Sequence, residues 1–175
     1  FPDLDDTESW DAGLDAELAL SRELSPSEGD DALTSISRFI DLKSPYTLGH
    51  SAAVSELASR AAAALDVSDP EMTMVRRSAL VARFGCLGVS NAIWDKPRAL
   101  SAAEWERVRL HPYLTERMLR SSPALAPLGQ VALQLRERLD GSGYPRGLSG
   151  AAILRPARLL AVADVYQSML EPRPH

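Results

Sequence analysis

At 175 residues and 19.0 kDa, the chain suits one domain with a short extra segment. Its 45% hydrophobic and 25% charged residues are ordinary for a globular protein and exclude wholesale disorder. No run of about 18 apolar residues exists, which excludes a membrane-spanning helix, and the single cysteine, Cys86, excludes an internal disulfide and a cysteine-built zinc site. A reducing, cytoplasmic location is expected. The start at Phe1, with no signal-peptide pattern, leads us to expect a piece of a longer chain.

The net charge of −5 hides an asymmetry: residues 1–31 hold eleven acids against one base, Arg22, and the remainder is net basic by five. An acidic head and a body without Lys/Arg blocks argue against direct nucleic-acid binding. In chain order, Trp10, Leu14 and Leu18 recur at helical spacing and predict an acidic amphipathic helix over residues 8–22. Ser25-Pro26-Ser27-Glu28-Gly29 reads as a linker, so we divide the chain into an acidic helix and linker (1–29) and a main domain (30–175). Asp30 or Asp31 caps a helix whose apolar face is Leu33, Ile36, Phe39 and Ile40. Ser44-Pro45 interrupts it. A helix follows from about Gly49 to Leu65.

Asp69-Pro70-Glu71 predicts an N-cap and first turn for a helix running to about Phe84. Ser101 and Glu104 have the spacing of a capping box for a helix ending near Leu110. Pro112 starts another, through Leu119, and Ser122-Pro123 one that reaches about Leu139. Asp140-Gly141-Ser142-Gly143-Tyr144-Pro145 is a turn-rich interruption. A last helix runs from about Pro156 to Leu170, with Leu159, Leu160, Val162, Ala163 and Tyr166 near its buried side. The class is all-α, a helical bundle with an N-terminal acidic helix.

The motifs of residues 41–170 resemble those of the HD-GYP domain, an all-α member of the HD superfamily. Asp41–Ser51, Ala92–Pro97, Leu110-His111-Pro112, Asp140–Pro145 and Ala161–Tyr166 match its motifs in order. Active members are metal-dependent phosphodiesterases that linearise cyclic di-GMP. Two or three metal ions lower the pKa of a bridging water and neutralise the phosphoryl oxygens, so histidines and carboxylates converge from several helices. The resemblance implies ligands at His50, at a His-Asp pair, at His111, at a His-His pair and at Asp164. Here the His-Asp positions hold Ala82 and Arg83, the His-His positions hold Leu135 and Arg136, and an acidic position sometimes found before the first histidine holds Tyr46. Alanine and leucine cannot ligate a metal, and arginine is a fixed cation that repels one.

His50, His111 and Asp164 therefore remain as remnants, and no cofactor is expected or, at most, a single divalent metal. Arg83 is expected to pair with Asp164 in place of the metal's charge, and Arg83 with Arg136 to leave a small anion site. Cys86 reads as a buried packing residue rather than a nucleophile, and Trp94 and Trp105 as packing rather than base-stacking. The loop Asp140, Gly141, Ser142, Gly143, Tyr144, Pro145 reads as a structural turn or a docking loop. Trp10-Asp11-Ala12, Asp41–Ser51 and the Glu171-Pro172-Arg173-Pro174-His175 ending are also similar to actinobacterial regulators in which an HD-GYP-like domain precedes a LuxR-type helix-turn-helix. The implied function is a domain without catalysis that serves as a regulatory, sensory or interaction module in bacterial signalling or transcription control. Its expected partners are a protein or a second copy, with a nucleotide as a further ligand. The alternatives are a weak metal-dependent phosphohydrolase and a structural dimerisation domain.

Overall fold

A computed structural model of the chain describes residues 23–172. The predicted helix over residues 8–22 and His175 lie outside the described residues. Contacts divide the chain into two units, Phe1–Asp31 and Ala32–His175. Among the described residues, regular structure is helical throughout, apart from one antiparallel bridge between Asp140 and Ser149. In chain order the helices are α1 (Pro26–Asp41), α2 (His50–Ala64), α3 (Asp69–Val81), α4 (Asn91–Trp94), α5 (Ala102–Arg109), α6 (His111–Leu119), α7 (Ala126–Leu133) and α8 (Arg155–Leu170). Three short 3-10 turns lie at Pro45–Thr47, Phe84–Gly88 and Gly150–Ala152. The all-α expectation holds.

The segment read as a linker is instead the first turn of α1. Ser25 Oγ accepts the Glu28 N–H at 3.3 Å, and Glu28 Oε2 accepts the Ser25 N–H at 2.9 Å, a reciprocal cap. Neither Asp30 nor Asp31 begins the helix. Leu33 and Ile40 are buried, but Ile36 and Phe39 are exposed. Positions 33 and 40 lie almost above one another, whereas 36 and 39 fall about 60° and 120° away around the helix. The buried stripe is therefore narrower than the apolar pattern.

α2 packs on α3 and α8, α3 also on α7 and α8, and α6 on α7. Alanines at 58, 79, 132 and 157 are buried where these helices meet, and their small side chains allow close approach. Val54, Val75, Val131, Leu135 and Leu160 fill the space between. A second cluster, with Leu33, Ile40, Leu80, Val81, Phe84, Leu119 and Leu128, lies on the other side of α3. The N-cap of α3 is Ser68, not Asp69; Asp69 and Glu71 instead occupy its first turn, where their charge favours the dipole. α3 stops at Val81, three residues short of the expected end.

The stop has a physical cause. The chain after α3 runs against the start of α6, where a Cβ on Gly85 would overlap the His111 carbonyl. Gly85 N–H donates to Thr115 Oγ1 at 2.8 Å, and that hydroxyl lies 3.1 Å from the Ala82 carbonyl. This junction sets Arg83 beside the start of α6. α7 is also shorter than the expected 122–139 helix. Beyond it, Glu137 accepts the N–H groups of Arg146 and Leu148 at 2.7 and 2.8 Å, and Gln134 Oε1 accepts that of Leu154 at 2.7 Å. The chain leaves the helix to hold the following loop. On α8, Ala157, Leu160, Ala163 and Asp164 are buried; Val162 and Tyr166, expected on that side, are exposed.

Candidate functional site

Four segments deliver the site. Gly49, at φ 77°, turns the chain into α2 so that His50 is its first residue. Asp164 sits midway along α8, Arg136 follows α7, and Arg83 follows α3. The Asp41 carboxylate receives the Ser51 N–H at 2.9 Å and the Ser51 hydroxyl at 2.7 Å, which satisfies an otherwise orphaned donor at the start of α2. Burial raises the Asp41 pKa against these two bonds. Sequence reasoning took Asp41 only as part of a motif and missed this role.

His50 is 2% exposed and bridges two carboxylates. Its Nδ1 lies 2.7 Å from Glu171 Oε2, and its Nε2 lies 3.2 Å from Asp164 Oδ1. Ionised carboxylates only accept, so both contacts are hydrogen bonds together only when the ring carries two protons. The sequence reading took Glu171 only as part of the C-terminal segment and gave it no role at the site. It lies beyond the end of α8, 121 residues from its partner in the chain, and no local pattern marks it.

The expected Arg83–Asp164 pair does not form. Arg136 takes Asp164 instead, with Nη2 2.9 Å from Oδ2. The approach is an ion pair without hydrogen-bond alignment, since Oδ2 receives no hydrogen bond. Burial pushes the Asp164 carboxyl up, but Arg136, the His50 hydrogen bond and the Arg83 charge outweigh it and bring the pKa to about 2. Arg83 points elsewhere. Its Nε is 3.8 Å from Asp41 Oδ1, and its guanidinium lies 5.3 Å above the Trp94 ring. The reason is positional: Arg83 leaves the end of α3 toward the 41–47 loop and α4, whereas Arg136 approaches α8 from the end of α7.

His111 is buried at the start of α6, where Nδ1 donates to the Val108 carbonyl at 2.8 Å. Burial first, and Arg136 second, lower its pKa to about 3, so the ring is neutral. It meets Trp94 and Tyr144 edge to face, at 5.8 and 6.3 Å between centroids. Ala82 and Leu135 have become members of the main hydrophobic cluster. Cys86 is buried and its thiol pKa is raised by that burial, which suits packing and not nucleophilic attack.

In the turn that follows, Asp140 accepts the Ser142 N–H and hydroxyl at 2.9 and 2.7 Å. Gly141 takes φ 80°, and a Cβ on Gly143 would overlap the Glu137 backbone. The Tyr144–Pro145 peptide is cis.

His50, Arg83, His111, Arg136 and Tyr144 line one cavity of about 280 Å³, with Tyr46, Trp94 and Trp105 among its walls. A second cavity, of about 630 Å³, shares Trp105, Arg136 and Tyr144 with it. Of the two tryptophans expected to be packing, Trp94 packs on the cluster of Val89, Ile93 and Val108 and also lines the cavity, whereas Trp105 is exposed and lines both cavities.

These donors do not suit a metal. Among the described residues, no three His, Cys, Asp or Glu side chains gather as a ligand set. A guanidinium nitrogen 2.9 Å from Asp164 puts a fixed positive charge where a cation would need the carboxylate.

The HD domain family pattern matches residues 34–175. The chain belongs to the HD domain family. It is 40% identical over 143 residues to the 3'3'-cGAMP-specific phosphodiesterase 3 of Vibrio cholerae, covering 82% of this chain and 31% of the relative. It is 31% identical over 147 residues to the cyclic di-GMP phosphodiesterase response regulator RpfG of Xanthomonas campestris, covering 83% and 39%. A cyclic di-GMP phosphodiesterase of Thermotoga maritima is 32% identical over 154 residues, covering 85% and 42%. The chain thus spans less than half the length of these relatives. Among the described residues, no helix is long and apolar enough to cross a membrane.

Proposed function

We propose that this chain is a non-catalytic HD-GYP-type domain, a regulatory module of cytoplasmic cyclic-dinucleotide signalling that holds its site together with guanidinium groups in place of metal. The observation that supports this most is the Arg136–Asp164 contact at 2.9 Å, with Asp164 buried. Phosphodiester hydrolysis by a metal centre needs activated water and neutralised phosphoryl oxygens. Here Asp164 is neutralised internally by Arg136, and two further ligand positions lie in the hydrophobic core.

The signal would pass to a protein partner or a second copy. The exposed α8 stripe of Val162, Val165, Tyr166 and Met169 supports that part of the reading. The likeness of Asp41–Ser51 to LuxR-type regulators supports a place in transcription control.

The test is metal content by mass spectrometry after incubation with Mn²⁺ or Fe²⁺, together with turnover of 3'3'-cGAMP and cyclic di-GMP. Neither stoichiometric metal nor turnover is expected. Metal-dependent turnover abolished by Asp164→Ala would overturn the reading and favour a weak phosphohydrolase.

A further inference from the structure

Arg83 stands out in the smaller cavity. It is 9% exposed, and its Nε is buried without a hydrogen-bond partner. Buried charges are normally paired and hydrogen-bonded, because burial strips their hydration. The neighbouring acid, Asp41, stands 3.8 Å from Nε and already takes two hydrogen bonds from Ser51. Other acids near the cavity are committed as well. Glu171 holds His50 and accepts Gln167 Nε2 at 2.8 Å, and Asp164 lies between His50 and Arg136. The positive charge of Arg83 therefore meets the cavity incompletely balanced.

The walls around that charge are aromatic. Trp94 lies under the guanidinium, His111 meets Trp94 edge-on, and Tyr144 meets His111. Tyr46 and Trp105 add further ring surface. Aromatic surfaces favour offset or edge contacts with another ring. The volume, about 280 Å³, falls just below the range for drug-sized pockets, roughly 300–1,000 Å³, and suits one ring system.

We propose that this cavity binds a small aromatic anion without a metal: a planar ring bearing one phosphate or carboxylate, the anionic group held by Arg83. This rests on the metal-free reading above. The planar guanidinium fork matches two oxygens of either group, while the ring displaces water from the tryptophan and tyrosine walls.

The experiment titrates benzoate, phenyl phosphate and the neutral benzamide into the full chain in EDTA, followed by saturation-transfer NMR. At least one charged probe is expected to bind about tenfold or more tighter than benzamide. Phenyl phosphate ahead of benzoate identifies the natural ligand as a phosphate ester, and the reverse order identifies it as a carboxylic acid. Arg83→Ala should remove the advantage of the charged probe and leave benzamide binding unchanged, and Arg83→Lys should restore part of it.

If Arg83→Ala fails to fold by circular dichroism, Trp105→Ala serves instead and should weaken all three probes. Equal binding of benzamide and the charged probes overturns the proposal, as does unchanged binding in the variants. Binding that requires added Mn²⁺ overturns both the proposal and the metal-free reading. No binding with or without Mn²⁺ overturns the proposal and leaves that reading standing.

Discussion

Replacing Arg136 by methionine removes the partner of a carboxylate whose side chain is 3% exposed. With charge centres about 4 Å apart and an effective dielectric near 20, the lost attraction is about 4 kcal/mol. Arg136 is itself 27% exposed and its approach to Asp164 lacks hydrogen-bond alignment, so solvent screening reduces the net effect to about 2–3 kcal/mol. The depressed pKa of Asp164 points the same way: among the groups that lower it against burial, Arg136 acts most strongly.

Because the folded-state pKa is depressed, this stability is present above pH 4 and is lost as pH falls toward 2. Urea melts of wild type, Arg136→Met, Asp164→Asn and the double variant at pH 7 should show Arg136→Met losing about 2–3 kcal/mol, and the two changes coupled by at least about 1 kcal/mol. The wild-type advantage should also shrink between pH 4 and 2. A loss below about 1 kcal/mol, or strict additivity, would refute the pairing as the element that neutralises Asp164.

Two further outcomes follow from buried groups elsewhere in the site. The unfolded chain protonates His111 near pH 6.5, whereas the folded ring resists until about pH 3; stability should therefore fall by about 1.4 kcal/mol per pH unit below 6.5. His111→Gln, which keeps a donor for the Val108 carbonyl, should show about 2 kcal/mol less loss than wild type between pH 7 and pH 5 in urea melts. Gly143→Ala should cost about 3 kcal/mol or more, read as a lowered thermal midpoint, because the new Cβ overlaps the Glu137 backbone and neither side can yield cheaply.

The sequence makes short-range features legible. The Ser101–Glu104 capping box forms as read, with Glu104 Oε2 accepting the Ser101 N–H at 2.7 Å, and α6 and α8 begin within a residue or so of their prolines. The same spacing recurs at Ser25–Glu28, where the nearby Gly and Pro suggest a linker although Pro26 suits a first helical turn. The early end of α7 was not legible. Its cause is the reach of Gln134 and Glu137 to backbone groups as far as 20 residues away.

Which arginine meets Asp164 was hidden for a related reason. Residue types and motif order placed Arg83 and Arg136 around one centre, but the choice depends on where α3 and α7 end, and both ends are set by tertiary contacts. The roles of Asp41 and Glu171 are likewise long-range, since each carboxylate meets its partner only after folding.

The four positions that part from the family pattern have two fates, and the difference bears on function. Ala82 and Leu135 have joined the main hydrophobic cluster, so they contribute to stability whatever the cavity contains. Arg83 and Arg136 have kept charge at the cavity. If stability alone set the arrangement, one arginine would suffice, since Asp164 is neutralised by Arg136 and contacts His50 Nε2, and Asp41 is satisfied by Ser51. The second guanidinium, Arg83, is largely buried, lacks a hydrogen bond at Nε, and is held only by a 3.8 Å approach to Asp41 and by the Trp94 ring. That excess charge beside an aromatic wall is what separates a cavity suited to an anion from a helical bundle that has merely lost its metal ligands.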